Sequence, residues 1–461
     1  MLARASLGRN AQRALRTQCL VCGSRRGLAS PASGSFTYET SEASGVKFAS
    51  RDLTGPTTTL AVVAKAGTRY QLLPGLADGL ENFMFKGTHK RSALRITREA
   101  ELLGGQLSAY HSRENLVVQA KFLRDDLPYF TELLGEVVSK TKYTSHEYKE
   151  EVLPILQLKH KTMLAKTSDL AINSAHGVAF HRGLGTPLHP SSSTPLTKYL
   201  NEEAIEAYSK TAFIKSNFSV VANGTSNTDL KKWVGEFFSD SPTSTPSSIP
   251  TIQSNPSKYY GGEERIAHDG GNTMIIAFPG SSSFTGSSYK PEIAVLAALL
   301  GGESSIKWSP GFSLLSKATQ AHPHVHISTS HAAYSDTGLF VISLNGKAMD
   351  AREASKDVVK TIKSVAAGEF SKEDIKKAIA AAKFKALESG QQTAAGIELT
   401  GAGLIQGGKA HQVDEVAKGI DDVTEDQVKK AAKTMVDSKA TMSSVGDLYI
   451  LPFAEELELH V

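Results

Sequence analysis

The sequence predicts an α+β protein of two homologous domains. Each is a mostly antiparallel sheet with helices packed on one side, and together they enclose a bowl-like cavity. Three observations predict this. The chain has 461 residues, too many for one ordinary core, so two or more domains are expected. The stretch "SDSPTSTPSSIPTIQSNPSK" at 239–258 is dominated by serine, threonine and proline, and reads as a linker. On either side of it the same succession occurs: strand, helix, strand pair, helices.

In the first half, "TLAVVAKAGTRYQ" (59–71) is a β-rich apolar run that ends in a glycine turn. A helical stretch follows. Then "LLGGQLSAYHSRENLVVQAKF" (102–122) gives a Gly-Gly break and two paired strands. Leu127, Phe130, Leu133, Leu134, Val137 and Val138 recur at helical spacing and define the apolar face of an amphipathic helix. In the second half, "NTMIIAFPG" (272–280) matches the opening strand, and "PEIAVLAALLGG" (291–302) matches the helix and Gly-Gly break. "YSDTGLFVISL" (334–344) stands where the second strand of the earlier pair stood. Helices are predicted over 351–366 and 371–389. Ser371 with Asp374 forms a candidate N-cap, and Thr424 with Gln427 a candidate capping box. "TMSSVGDLYIL" (441–451) is the last predicted strand. The expected borders are a leader at 1–36, domains at 37–238 and 259–461, and the linker at 239–258 between them.

Apolar residues make up 40% and charged residues 21%, a globular composition and not a disordered one. The longest apolar stretches, such as Pro291–Leu300, fall far short of the roughly 20 residues that span a bilayer, so any membrane contact is expected to be indirect. The first 36 residues hold six arginines (Arg4, Arg9, Arg13, Arg16, Arg25, Arg26), no lysine and no acid. Removing those six charges from the formal net charge of +4 leaves −2, so the basic balance does not argue for nucleic acid. Arg9, Arg13 and Arg16 share one helical face and Leu7, Ala11 and Leu15 another, the composition of a mitochondrial transit peptide. Cleavage is expected within 27–36. The only cysteines, Cys19 and Cys22, lie inside this leader. The processed chain would then contain no disulfide, iron–sulfur cluster, thiolate nucleophile or covalent haem site.

One motif carries chemistry. Zinc hydrolysis needs three protein ligands, an open position for water and a general base. An inverted helical motif, H-x-x-E-H, supplies two histidines four residues apart with the base before the second. Placing Glu81 of "DGLENFMFKGT" (78–88) at the glutamate puts Asp78 and Asn82 where the histidines would be. Asp78 is a possible ligand and Asn82 a poor one. The nearest acidic helix, "SHEYKEEVLPILQLKH" (145–160), offers Glu147, Glu150, Glu151 and His160. Its continuation "VLPIL", with Pro154, reads as inward-facing and apolar where a third carboxylate would be needed. The expectation is a degenerate motif at Asp78, Glu81 and Asn82, with no catalytic residue, metal or cofactor. His322, His324 and His326 in "HPHVH" are expected on an ordinary strand or loop face, and His176, His181 and His189 on a loop surface. Gly104-Gly105 and Gly301-Gly302 fit turns and helix ends better than phosphate loops, and no G-x-S-x-G elbow occurs.

"ENFMFKGT", "REAELLGGQLSAYHSRENLVVQA", the internal duplication and the linker together resemble the pitrilysin-type metallopeptidase superfamily. Its mitochondrial members include the processing peptidase subunits and the core proteins of ubiquinol–cytochrome c reductase. "YYGGEERIAHDGGNTMIIAFPGSS" (259–282) and "AAYSDTGLFVISL" (332–344) are similar to the core-protein branch. That resemblance implies a non-catalytic subunit of respiratory complex III on the matrix side of the inner membrane. It implies partnership with a second, homologous core protein and with the cytochrome b, cytochrome c1 and Rieske subunits of a complex that dimerises. The alternative is a processing peptidase α-like subunit that binds presequences for a zinc-bearing partner. "LLGGESSIKWSPGFSLLSKA" (299–318) lacks the long glycine-rich loop that this alternative implies. A core subunit with a residual peptide-binding groove is the third possibility.

Overall fold

The computed structural model describes residues 37–53, 55–189, 195–245, 255–302, 311–391 and 396–461. The expected leader with Cys19 and Cys22, much of the expected linker, and the centre of the 299–318 loop lie outside the described residues.

Eleven described strands form two sheets. The first contains β1 (Glu39–Ala43), β2 (Val46–Arg51), β3 (Thr57–Ala64), β4 (Gln106–His111), β5 (Leu116–Leu123) and β6 (Phe218–Asn223). The second contains β7 (Gly262–Ala267), β8 (Asn272–Pro279), β9 (Val325–Ala333), β10 (Gly338–Gly346) and β11 (Thr441–Gly446). The orders are β1-β2-β6-β3-β5-β4 and β7-β11-β8-β10-β9. Leaving out the extra edge strand β1, the two orders superimpose: β2 and β6 pair in parallel, as do β7 and β11, and the other neighbours are antiparallel. The duplication read from the sequence is therefore a duplication of sheet topology.

The central strands have continuous apolar runs because both faces of each sheet are covered. In β3, Leu60, Val62 and Ala64 face the main core of the first half, with Phe83, Phe130 and Leu134. Ala61 and Val63 face the other way, toward Ile397 and Leu404 of the Ile397–Gln406 helix. In β8, Met274, Ile276 and Phe278 face the second core, while Ile275 and Ala277 face Ala171, Ala175 and Ala179 of the Thr167–Phe180 helix. Each sheet thus has its own half's helices on one face and one helix from the opposite half on the other. The exchange is reciprocal, and it adds a layer to the one-sided packing expected.

Small residues allow these crossing helices to lie close to the strands. Alanines at positions 171, 175 and 179 form one face of the first. On the second, a β-carbon added at Gly401 would stand 2.5 Å from the Val63 β-carbon.

The predicted caps are present. Ser371 Oγ accepts from Asp374 N at 3.1 Å, and Thr424 and Gln427 form the reciprocal capping box. The final strand is shorter than predicted, ending at Gly446, where φ is +134° and a turn begins. Of the three "HPHVH" histidines only His326 lies on a strand, because β9 starts at Val325. No described helix is long and apolar enough to cross a membrane.

Candidate functional site

Asp78, Glu81 and Asn82 lie on the helix Leu76–Phe83. Gly75 starts it with φ +90°, a left-handed conformation that a side chain would strain. The helix buries Leu76, Leu80 and Phe83 against the first sheet, and Asp78 is buried completely with them. A fully buried carboxylate needs compensating partners.

Three elements supply them. From the Leu153–Ala165 helix, Lys159 Nζ donates to Asp78 Oδ1 at 2.9 Å and to Glu81 Oε1 at 2.7 Å. From the end of β4, His111 donates its backbone N–H to Glu81 Oε2 at 3.2 Å, and its ring Nδ1 meets the same oxygen. Its Nε2 lies 3.0 Å from the Leu188 carbonyl oxygen. From the loop after the Gly183–Gly185 turn, His189 Nδ1 lies 3.0 Å from Asp78 Oδ2. That loop is held by buried Arg113, whose guanidinium donates to the carbonyls of Leu184 (3.0 Å) and Thr186 (2.6 Å) and to Asn173 Oδ1 (2.8 Å). Asn82 Nδ2 donates within its own helix to the Asp78 carbonyl at 2.7 Å and to Asp78 Oδ1 at 3.1 Å.

The electrostatics follow. Burial alone would push the Asp78 carboxyl up, but the His189 hydrogen bond and the charges of His111 and Lys159 outweigh it and hold it below the usual range. Burial opposes ionisation of Glu81 too, and the His111 bond with the Lys159 ammonium again lowers it. His111 and Lys159 would lose protons on burial, yet both are raised by the two carboxylates. Both ring nitrogens of His111 face oxygen acceptors, so both carry hydrogen and the ring is an imidazolium. Two anions therefore face two cations.

Asp78, His111 and His189 place potential ligand atoms within 4.8 Å of one another. This donor set does not fit a hydrolytic zinc ion. Both Asp78 oxygens and both Glu81 oxygens are taken by donors, His111 has no free lone pair, and Asn82 presents its amide N–H₂ to Asp78.

The structure brings together Asp78, Glu81 and Asn82 as the motif spacing required. Sequence reasoning missed Lys159, His111 and His189. His189 was expected on a loop surface and belongs to this cluster. His176 was also expected there but is buried in a helix, between the Ile172 carbonyl (2.7 Å) and the Tyr334 hydroxyl (2.7 Å) of the other half. Only His181 is exposed as expected. The acids of the 145–160 segment point elsewhere: Glu147 accepts from Gly87 N at 2.9 Å, Glu150 lies 3.1 Å from His146, and Glu151 pairs with Lys86. In "VLPIL", Val152 and Leu156 are buried, but Pro154 and Ile155 are exposed. A π-turn over Tyr148–Val152 precedes Pro154 and widens the helix there, so a regular 3.6-residue period assigns the inward face wrongly.

Residues 47–189 match the family described as Insulinase (Peptidase family M16), and residues 199–382 match the Peptidase M16 inactive domain. A Neurospora crassa protein named cytochrome b-c1 complex subunit 2, mitochondrial, is 50% identical, with 100% of each chain covered. A protein of the same name from Cryptococcus neoformans var. grubii is 35% identical over 91% of this chain and 94% of that one. The mitochondrial-processing peptidase subunit alpha of Solanum tuberosum is 25% identical over 90% of this chain and 83% of that one. The full-length similarity and the paired domain matches show that the chain belongs to the M16 peptidase family, within its group of mitochondrial cytochrome b-c1 complex subunit 2 proteins.

Proposed function

We propose that the chain is a non-catalytic core subunit of mitochondrial respiratory complex III, needed for assembly and stability of the complex. End-to-end similarity to relatives named cytochrome b-c1 complex subunit 2 carries this reading. Its partners would be a homologous core protein 1 and the cytochrome b, cytochrome c1 and Rieske subunits, which hold the redox centres, in a complex that dimerises. Its place is the matrix side of the inner membrane, reached after removal of the arginine-rich leader and held there through partners. Two observations support a non-catalytic role: the lysine bridging Asp78 and Glu81, and the engagement of both His111 nitrogens.

Deleting the gene tests it. Blue-native electrophoresis of mitochondria is expected to show loss of the complex III band, and mass spectrometry of the wild-type band should find this chain beside haem-bearing subunits. Normal complex III after deletion, or recovery of the chain only with a soluble zinc peptidase, would overturn the proposal. The second outcome would favour the processing peptidase α-like role, to which the Solanum tuberosum relative points.

A further inference from the structure

The Lys159 side chain reaches between the helices Leu76–Phe83 and Leu153–Ala165 and ends between two carboxylates. Its ammonium donates to one oxygen of each, at 2.9 and 2.7 Å, while their second oxygens face His189 and His111. Asp78 is 0% exposed at its side chain, Glu81 15% and Lys159 27%, so the carboxylates are shielded more than the lysine that joins them. A divalent ion bound by Asp78 and Glu81 would have to stand where this ammonium is, and like charges exclude each other at that range.

We propose that Lys159 is the resident cation of this centre, a covalently tethered substitute for a metal ion that joins the two helices and shuts divalent metal out. It follows that removing the ammonium frees the two carboxylates it holds. With the ammonium gone, Asp78 Oδ1 and Glu81 Oε1 are released to a zinc or cobalt ion, with the His189 ring beside the other Asp78 oxygen. The inference rests on the reading of the centre as metal-free, but not on membership of complex III.

The test uses the purified full chain and its variants Lys159→Ala, Lys159→Gln and Lys159→Arg, dialysed against zinc or cobalt and then against metal-free buffer. Metal content, the visible absorption of bound cobalt, and melting with and without zinc are measured. The wild type and K159R are expected to retain no stoichiometric metal and to melt at the same temperature with or without zinc. K159A and K159Q are expected to melt lower in chelator, to recover with zinc, and to bind it at least about tenfold more tightly than the wild type. Adding Asp78→Asn to K159A should abolish the uptake. One equivalent of zinc in the wild type, or no gain in either uncharged variant, would overturn the proposal. If K159A fails to fold even with zinc present, K159Q and the wild type still decide it. Complex III assembly is scored separately by blue-native gel, so loss of the respiratory role and loss of this inference are distinguishable.

Discussion

Arg69 ties the two halves together through one side chain. Its guanidinium donates to Glu114 at 2.6 Å in the first half and to both oxygens of Asp336 at 2.9 and 2.7 Å in the second. The side chains of Arg69 and Glu114 are 5% and 7% exposed, and Asp336 is 29% exposed. Ser335 also donates to Glu114, from both its backbone and its hydroxyl. Removing the arginine leaves the buried Glu114 without its countercharge. Arg69→Met is therefore expected to lower unfolding stability by about 3–5 kcal/mol. Asp336→Asn should cost much less, because that partner is reached by solvent. Urea denaturation of both variants checks the order, and equal losses would show that the charge of Asp336 matters as much as the buried pair. His176 makes a pH-dependent contribution. Burial, and then the nearby Arg113 charge, lower its pKa from 6.5 to about 3. The folded chain holds it neutral while the unfolded chain takes up a proton below 6.5, so stability is full above that pH and falls on acidification toward 3. The slope from this one group is up to about 1.4 kcal/mol per pH unit. His176→Gln should flatten the fall between pH 5 and 6.5, above the range where most carboxylates titrate. An unchanged slope would assign the acid sensitivity to other groups.

At the scale of elements, Gly401 shows how packing sets a residue choice against helix propensity. Alanine is favoured over glycine within a helix by about 1 kcal/mol. Here the added carbon would meet the Val63 β-carbon at 2.5 Å, an atom fixed to the strand backbone and unable to swing away. Overpacking of this kind costs about 1–3 kcal/mol. Gly401→Ala is thus expected to lower the melting temperature, and a rise would show that the helix can slide on the sheet. The same contrast explains which elements were legible in the sequence. The strands "TLAVVA" and "NTMIIAFP" announce themselves by β-branched apolar runs, and the Thr424–Gln427 box by residue types at fixed spacing. These signals are local. Which half's sheet the Thr167–Phe180 helix covers is decided by complementary surfaces far apart in the chain, and its alanines carry no mark of their partner. The candidate site divides the same way. Asp78, Glu81 and Asn82 were legible because one helix sets their spacing. Lys159 was hidden by the π-turn before it, and His111 and His189 reach the site only through the sheet and the Arg113-held loop.

At the scale of the whole molecule, the reciprocal crossing determines how the chain unfolds. Each sheet turns a second apolar face, bearing Ala61, Val63, Val117 and Val221 in one case and Ile275, Ala277, Leu339, Val341 and Val445 in the other, toward a helix from the opposite half. A half expressed alone would present that face to water, and its own crossing helix would have no sheet to cover. Contiguous apolar patches of this kind drive association or partial unfolding. Further hydrogen bonds across the boundary act in the same direction: Ser112 Oγ and Asn115 Nδ2 donate to Glu398 at 2.6 and 3.1 Å, and Gln412 bonds both backbone groups of Tyr38 at 2.9 and 3.0 Å. The halves 37–238 and 259–461, divided at the proposed linker, are therefore not expected to fold separately as stable monomers. Each should aggregate or bind a dye for exposed apolar surface, whereas coexpression should restore a soluble heterodimer with the melting behaviour of the intact chain. Cutting the linker of the folded protein should leave the two pieces together through size-exclusion chromatography. Calorimetry of the intact chain should give one transition and not two, because neither sheet keeps its second cover once the other half has melted. Two independent transitions, or a soluble and fully cooperative isolated half, would mean that the crossing helices contribute little and that each half is stabilised by its own core.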